Sequence, residues 1–383
     1  MKVLILSIST GQGHHSTAEA IEKQFIKMGV ECKIVDAYGY IEPRLQTMVS
    51  RAYTLATYTK KFSSIAYGLT VKKTWVTSKY SVPKVTNSIL ARELRKCIEE
   101  EKPDVIISTH IFAATMINIL LEKKRLSAIT VGIITDFTIH PFWEETRLLD
   151  YFVTPSELLE YQLDFKGIDI KKHLPYGIPI KEQFNNRTSK AEARKILGLD
   201  PDKLTILLMS GSMGYGKIDK NIEDMDNLPF DFQAIVVCGN NKRQYKKIKS
   251  LPKKKRFDIY GYVNNVDIMM EAADCIISKP GGITTSEALA KELPMIMVNP
   301  IPGHEERNAE FFLNNGLGLF VTKTFPLDEA LYYLNKRPER LENLKRSIAS
   351  FKKENPTERL CEFLNDKVCE KDAQKCHKPH RTK

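Results

Sequence analysis

Short apolar runs that hand over to glycine-bearing turns and then to helical periodicity recur along the chain, and this alternation constrains the fold more than any other feature. The first round is KVLILSI at residues 2–8, a glycine turn, a helical pattern over 16–29 and a second strand at 30–38. A charged helix at about 89–101 leads into DVIISTH, a further helix, ITVGIITD and DYFVTPS. These runs are continuous rather than alternating, as strands of a parallel sheet buried on both faces must be. Two prolines and a glycine in LPYGIPI, residues 174–180, mark the expected hinge. The alternation then restarts with LTILLMS, FQAIVVCGN, FDIYGYV, CIISKPG, PMIMVNP and GLFV. Two successive doubly wound α/β domains are expected, 1–180 and 181–365. Residues 366–383, polar and basic, read as a frayed tail.

The 383 residues carry 58 Lys and Arg against 47 Asp and Glu, a formal net charge of +11, which calls for an acidic partner. Between Glu42 and Glu93 there is no acidic residue. That stretch holds Lys60, Lys61, Lys72 and Lys73 among nine cations, with Phe62, Tyr67 and Trp75 among six aromatics. Cations interleaved with amphipathic rings suit an anionic bilayer interface. RNA or plain solvent would also accept such a face, but no RNA-binding signature accompanies it. No run of apolar residues is long enough to span a bilayer and no signal-peptide pattern opens the chain, so a cytoplasmic protein peripheral on the inner membrane face is expected. The seven cysteines form no CxxC pair and read as reduced thiols. Cys369, Cys376, His377 and His380 match no standard metal spacing.

Four loops at strand ends carry the chemistry. After the first strand, Gly11 and Gly13 let the backbone approach a ligand at a helix N-terminus. His14 and His15 follow, where an imidazole can take a proton near neutral pH or merely cap and pack. TDFTIHPFW places Asp136, His140 and Trp143 at another strand end; Asp136 reads as an orienting carboxylate or as an N-cap. SGSMGYG supplies Gly211, Ser212 and Gly214, suited to a diphosphate held by main-chain amides. In GYVNNV and SKPGGITTSEAL, Tyr262 and Val263 precede Gly281, Gly282 and Thr284 on a helix carrying Glu287, a carboxylate suited to a ribose diol. PGHEERNA adds His304, Glu305, Glu306 and Asn308, a dense donor and acceptor set of the kind that reads sugar hydroxyls.

At GQGHHSTAEAI, TDFTIHPFW, YGIPI, VVCGNN, GYVNNV, SKPGGITTSEAL and PGHEERNA the chain resembles the monogalactosyldiacylglycerol synthase and processive diacylglycerol glucosyltransferase family. That group falls in glycosyltransferase family 28 and is related to the peptidoglycan N-acetylglucosaminyltransferases. The resemblance runs to about residue 365. It implies a GT-B fold of two facing Rossmann-like domains with an interdomain cleft. It implies a UDP-sugar held mainly by the second domain, an acceptor held by the first, and inverting transfer of a hexose, glucose favoured over galactose, to diacylglycerol. It places His14 as general base with Asp136 as a second member. Glu287 falls on the ribose site, Gly281, Gly282 and Thr284 near the phosphates, and Glu305, Glu306 and Asn308 on the sugar-reading segment. His304 stands where the family usually has glutamine. No metal is implied for the chemistry, and no nucleic acid as partner. Two rival readings share the architecture, a UDP-sugar 2-epimerase and a nucleotide-sugar-sensing binding protein.

Overall fold

The computed structural model describes residues 1–8, 12–42, 82–211 and 217–376, which form two compact units. One comprises residues 1–182 together with the chain from Asn355 onward, and the other residues 183–354.

The first unit contains β1 (Lys2–Ser7), α1 (Gln12–Lys27), β2 (Glu31–Asp36), α2 (Ala37–Ile41), α3 (Val82–Glu101), β3 (Val105–Ser108), α4 (Ile111–Glu122), β4 (Ile129–Ile133), β5 (Tyr151–Val153), α5 (Glu160–Phe165) and β6 (His173–Leu174). The strands form one parallel sheet in the order β2-β1-β3-β4-β5-β6. Register follows burial: Val3 pairs with Val105 and Ile5 with Ile107, all fully buried. These residues meet Ala18, Ile21 and Phe25 of α1 in one core. Gly132 in β4 is a close-approach position, since a Cβ there would stand 2.7 Å from the ring of Trp143. That ring is buried and edge-on to Phe152 at 6.1 Å. Gly132→Ala therefore has to push the indole aside, and a loss of about 1–3 kcal/mol in urea unfolding is expected.

The second unit runs α6 (Lys190–Ile196), β7 (Thr205–Met209), α7 (Ile218–Asp226), β8 (Gln233–Val237), α8 (Lys242–Ser250), β9 (Arg256–Tyr260), α9 (Val266–Ala272), β10 (Cys275–Ser278), α10 (Gly282–Ala290), β11 (Met295–Met297), α11 (His304–Asn314), β12 (Gly318–Phe320), α12 (Leu327–Lys336) and α13 (Pro338–Phe351). Its parallel sheet has the order β12-β11-β10-β7-β8-β9. Ile206, Leu208, Ala234, Val236 and Ile277 fill the core from the strands, and Ile218, Ile222, Leu331 and Leu334 close it from the helices.

Three expectations are corrected. The strand expected through Tyr38 stops at Asp36, whose carboxylate accepts from Gly39 N at 2.7 Å and starts α2 instead. The chain from Asn355 belongs to the first unit rather than to the second. Nor does the polar tail fray from residue 366: α14 (Pro356–Cys376) continues to residue 376, and residues 377–383 lie outside the described residues. Leu360, Cys361, Leu364 and Val368 recur at helical spacing and are buried against α1 in the first core, which draws the helix there. Phe363 stacks edge-on to Tyr151 at 5.0 Å, Arg359 lies over Tyr176 at 4.7 Å, and Thr357 Oγ1 donates to Ile180 O at 2.7 Å.

Candidate active site

Each sheet reverses its strand order once, and an open α/β sheet binds ligands outside the carboxyl ends of the strands at such a point. In the first sheet the reversal lies between β1 and β3, in the second between β7 and β10. The candidate residues collect at these two places.

At the first, α1 follows β1 and presents His14 in its opening turn, half-buried. His14 Nδ1 lies 2.6 Å from Thr109 O just past β3, and 3.3 Å from Thr135 Oγ1 beyond β4. A carbonyl oxygen only accepts, so Nδ1 carries the proton and donates it there. The basic lone pair is thereby assigned to Nε2, the tautomer a general base needs. Asp136 is half-buried next to Thr135. His15 is exposed and pairs with Glu19 at 3.4 Å, which also holds Lys181 at 2.9 Å. Gly13 is described within α1, whereas Gly11 lies outside the described residues.

The sequence reading passed over His110, whose ring meets that of His14 at 4.5 Å in a T-shaped contact. His110 is buried and caps α4, its Nδ1 accepting from Phe112 N at 3.2 Å. His140 repeats the device, Nδ1 accepting from Phe142 N at 3.2 Å. Rings continue from His110 to Phe112 (5.2 Å), Phe142 (6.1 Å) and His140 (4.9 Å), so one aromatic row backs the histidine site. Burial, reinforced by His14 and His140, holds the His110 imidazole well below its ordinary range. It is therefore neutral when folded, yet takes a proton near pH ~6.5 once unfolded. Stability should be flat above about pH 6.5 and fall below it, because there the unfolded chain binds the extra proton. His110→Asn, which keeps an acceptor for Phe112 N, should flatten this acid limb in urea unfolding across pH. A smaller share remains from His173, also lowered by burial.

At the second reversal, Gly211 follows β7 with φ of 66°, a left-handed conformation open to glycine. Ser212 and Gly214 lie outside the described residues. After β9, Tyr262 is 59% exposed and Val263 half-buried. After β10 the turn Pro280-Gly281-Gly282 opens α10, with Gly281 as an N-cap that has no capping side chain. The hydroxyls of Thr285 and Ser286 turn back onto Gly281 O and Gly282 O, at 2.7 and 2.8 Å. The first-turn amides and the positive end of the helix dipole thus suit an anion. Thr284 and Glu287 are half-buried on the same helix.

Two residues of the segment read as sugar-contacting, Glu305 and Asn308, also brace this glycine turn. Glu305 is buried, with Oε1 3.1 Å from Lys279 Nζ and Oε2 accepting from Ile301 N at 2.6 Å. Glu306 closes a capping box on Gly303 N at 3.0 Å. Asn308 is fully buried and donates Nδ2 to Pro280 O at 3.0 Å. Lys279, missed in the sequence, is the cation this scaffold holds behind the turn. Its position between a buried strand and Pro-Gly-Gly was the available signal. Glu305→Ala leaves Lys279 without its carboxylate, and a cost of about 3–5 kcal/mol is expected in thermal or urea unfolding.

The model for the monogalactosyldiacylglycerol (MGDG) synthase family matches residues 14–180, and that for the glycosyltransferase family 28 C-terminal domain matches residues 205–360. A processive diacylglycerol beta-glucosyltransferase of Bacillus cereus is 29% identical, covering 86% of this chain and 85% of its own. One from Bacillus cytotoxicus is 26% identical over 100% and 97%. Among solved structures, MurG of Acinetobacter baumannii superposes with a TM-score of 0.64 at 14% identity, covering 95% of this chain and 99% of that one. The calicheamicin glycosyltransferase CalG4 gives 0.62 at 11%, covering 96% and 99%. A putative UDP-N-acetylglucosamine 2-epimerase of Listeria monocytogenes also gives 0.62 at 11%, covering all of both chains. At such identities the likeness speaks for the GT-B fold, which transferases and an epimerase share, and not for an activity. The family models separate those two: this chain is a glycosyltransferase, whose first part matches the monogalactosyldiacylglycerol synthase model and whose second part matches the glycosyltransferase family 28 C-terminal model.

Proposed function

We propose that the protein transfers a hexose, glucose in preference to galactose, from a UDP-sugar to the hydroxyl of 1,2-diacylglycerol with inversion, yielding a β-glycosyl-diacylglycerol. The observation that carries the reading is the donation of His14 Nδ1–H to Thr109 O, which leaves Nε2 as the proton acceptor. The acceptor named for the Bacillus relatives, a diacylglycerol, supplies the alcohol. In the step, Nε2 of His14 takes the hydroxyl proton as the lipid oxygen attacks the sugar C1, and the C1–O bond to UDP breaks. Its electron pair leaves with the diphosphate. The amides of Gly282 and Thr284 at the start of α10 favour that developing charge, Gly211 and Gly281 let backbone approach it, and Glu287 accepts from the ribose hydroxyls. Tyr262 and Val263 border the nucleotide. Asp136 is a second polar group for the acceptor. Glu305, Glu306 and Asn308 are the polar set that reads the sugar, and Glu305 and Asn308 also brace the glycine turn.

No helix among the described residues is long and apolar enough to cross a membrane. A bilayer-resident acceptor then has to be met at the surface, at the cytoplasmic leaflet in this reading. The sequence offers Lys60, Lys61, Phe62, Tyr67, Lys72, Lys73 and Trp75 for that contact, all outside the described residues. The test is direct. Diacylglycerol vesicles are incubated with UDP-glucose or UDP-galactose, and the lipid is characterised by mass spectrometry and anomeric NMR. A β-glucosyl lipid is expected. An epimerised nucleotide sugar with no glycolipid would overturn the reading.

A further inference from the structure

The net charge has a second source that the reading above does not use. Residues 242–257 carry nine Lys and Arg and no Asp or Glu, against a formal net charge of +11 for the whole chain. The structure spreads them along one flank of the second unit, on α8 and the loop into the edge strand β9. Helix α8 buries only Ile248 against the core, and Lys242, Arg243, Lys246, Lys247 and Lys249 are all exposed. Some of this charge is locally answered: Lys247 pairs with Asp219 at 2.6 Å and Arg256 with Asp258 at 2.8 Å. The side chains of Lys254 and Lys255 reach Asn227 Oδ1 and Leu228 O, and their backbone N–H groups donate to the Asp226 carboxylate at 3.0 Å, so the loop's charge is partly answered as well. Among the described residues, Lys242, Arg243 and Lys246 have no acidic partner, and Lys249 meets Tyr245, its hydroxyl at 3.4 Å and its ring at 5.6 Å. Helix α8, about 14 Å long by its nine residues, thus presents an uncompensated cationic ridge.

We infer that this ridge is a docking face for an anionic phospholipid bilayer, a second membrane contact carried by the second unit itself. The choice of a bilayer rests on the lipid-acceptor reading and on charge complementarity. Nucleic acid fits less well, because no aromatic ring in residues 242–257 is exposed to stack a base. No large apolar side chain in that span is exposed either, so the contact is made by charge at the headgroups and does not insert. Its strength must therefore fall steeply as salt is raised.

The test compares the full chain with Lys242→Gln/Arg243→Gln/Lys246→Gln, none of them a residue placed in the chemistry above. Partitioning is measured onto phosphatidylcholine vesicles with and without about a third phosphatidylglycerol, at roughly one surface charge contribution per cation. The triple variant should melt like the parent, glycosylate detergent-dispersed diacylglycerol at the parental rate, and bind anionic vesicles roughly a hundredfold more weakly. Equal partitioning of the two chains overturns the assignment. So does a variant that loses affinity for a single-stranded RNA oligomer while keeping its vesicle binding. A parent chain indifferent to anionic lipid yet active on dispersed diacylglycerol removes the docking face and leaves the transferase reading intact. Vesicle binding that depends on the three cations, with no glycolipid made by either chain, supports the face and removes that reading.

Discussion

His14→Ala should lower turnover by a hundredfold or more, the usual share of a positioned general base, with UDP affinity unchanged. The asymmetry follows from where the residue sits. His14 belongs to the first unit, bonded to Thr109 O and close to Thr135 Oγ1, whereas the residues assigned to the nucleotide belong to the second. Alanine suits a helical position, so α1 should survive the change. Calorimetric titration of UDP and a melting curve separate the alternatives: a variant that turns over near the parental rate removes His14 as the base, and one that melts early has lost its fold instead.

Leu364→Ala should cost about 2–5 kcal/mol in urea unfolding, the range for truncating a large aliphatic side chain in a packed core. Leu364 is fully buried, in one cluster with Ile21 and Phe25 of α1 and with Val3 and Ile5 of β1. A polar tail would tolerate the same change within a few tenths of a kcal/mol. An unchanged unfolding midpoint would mean that α14 does not hold this core.

These two positions mark the limits of what the sequence made legible. The sheets were plain, because a parallel strand buried on both faces must be a continuous apolar run, and KVLILS, VIIS, TILLM, QAIVV and CIIS each satisfy that in a few residues. The two-residue strand β6 was too short to give a pattern. The C-terminal helix was obscured because its last core residues, Leu364 and Val368, straddle the point where polar residues take over. The glycine loops and His14 were readable from their place after strands. His110 was not, since a histidine after a buried strand gains meaning only from its partner 96 positions earlier, and spacing encodes no such pairing. Glu305 and Asn308 show the converse. Their spacing marks a polar cluster at a strand end, but it does not reveal that the same groups also bond Lys279 and Pro280.

The return of α14 to the first unit bears on how the chain is made. Residues 183–354 leave the ribosome as an uninterrupted stretch that holds its whole sheet, while the portion synthesised before it still lacks a wall. At about 5–20 residues per second, the groove lined by Ala18, Ile21 and Phe25 stays uncovered until residues 356–368 have been read and have cleared the exit tunnel. The half begun first is thus the half finished last, and a nascent polypeptide stalled near residue 350 should be the species that chaperones hold.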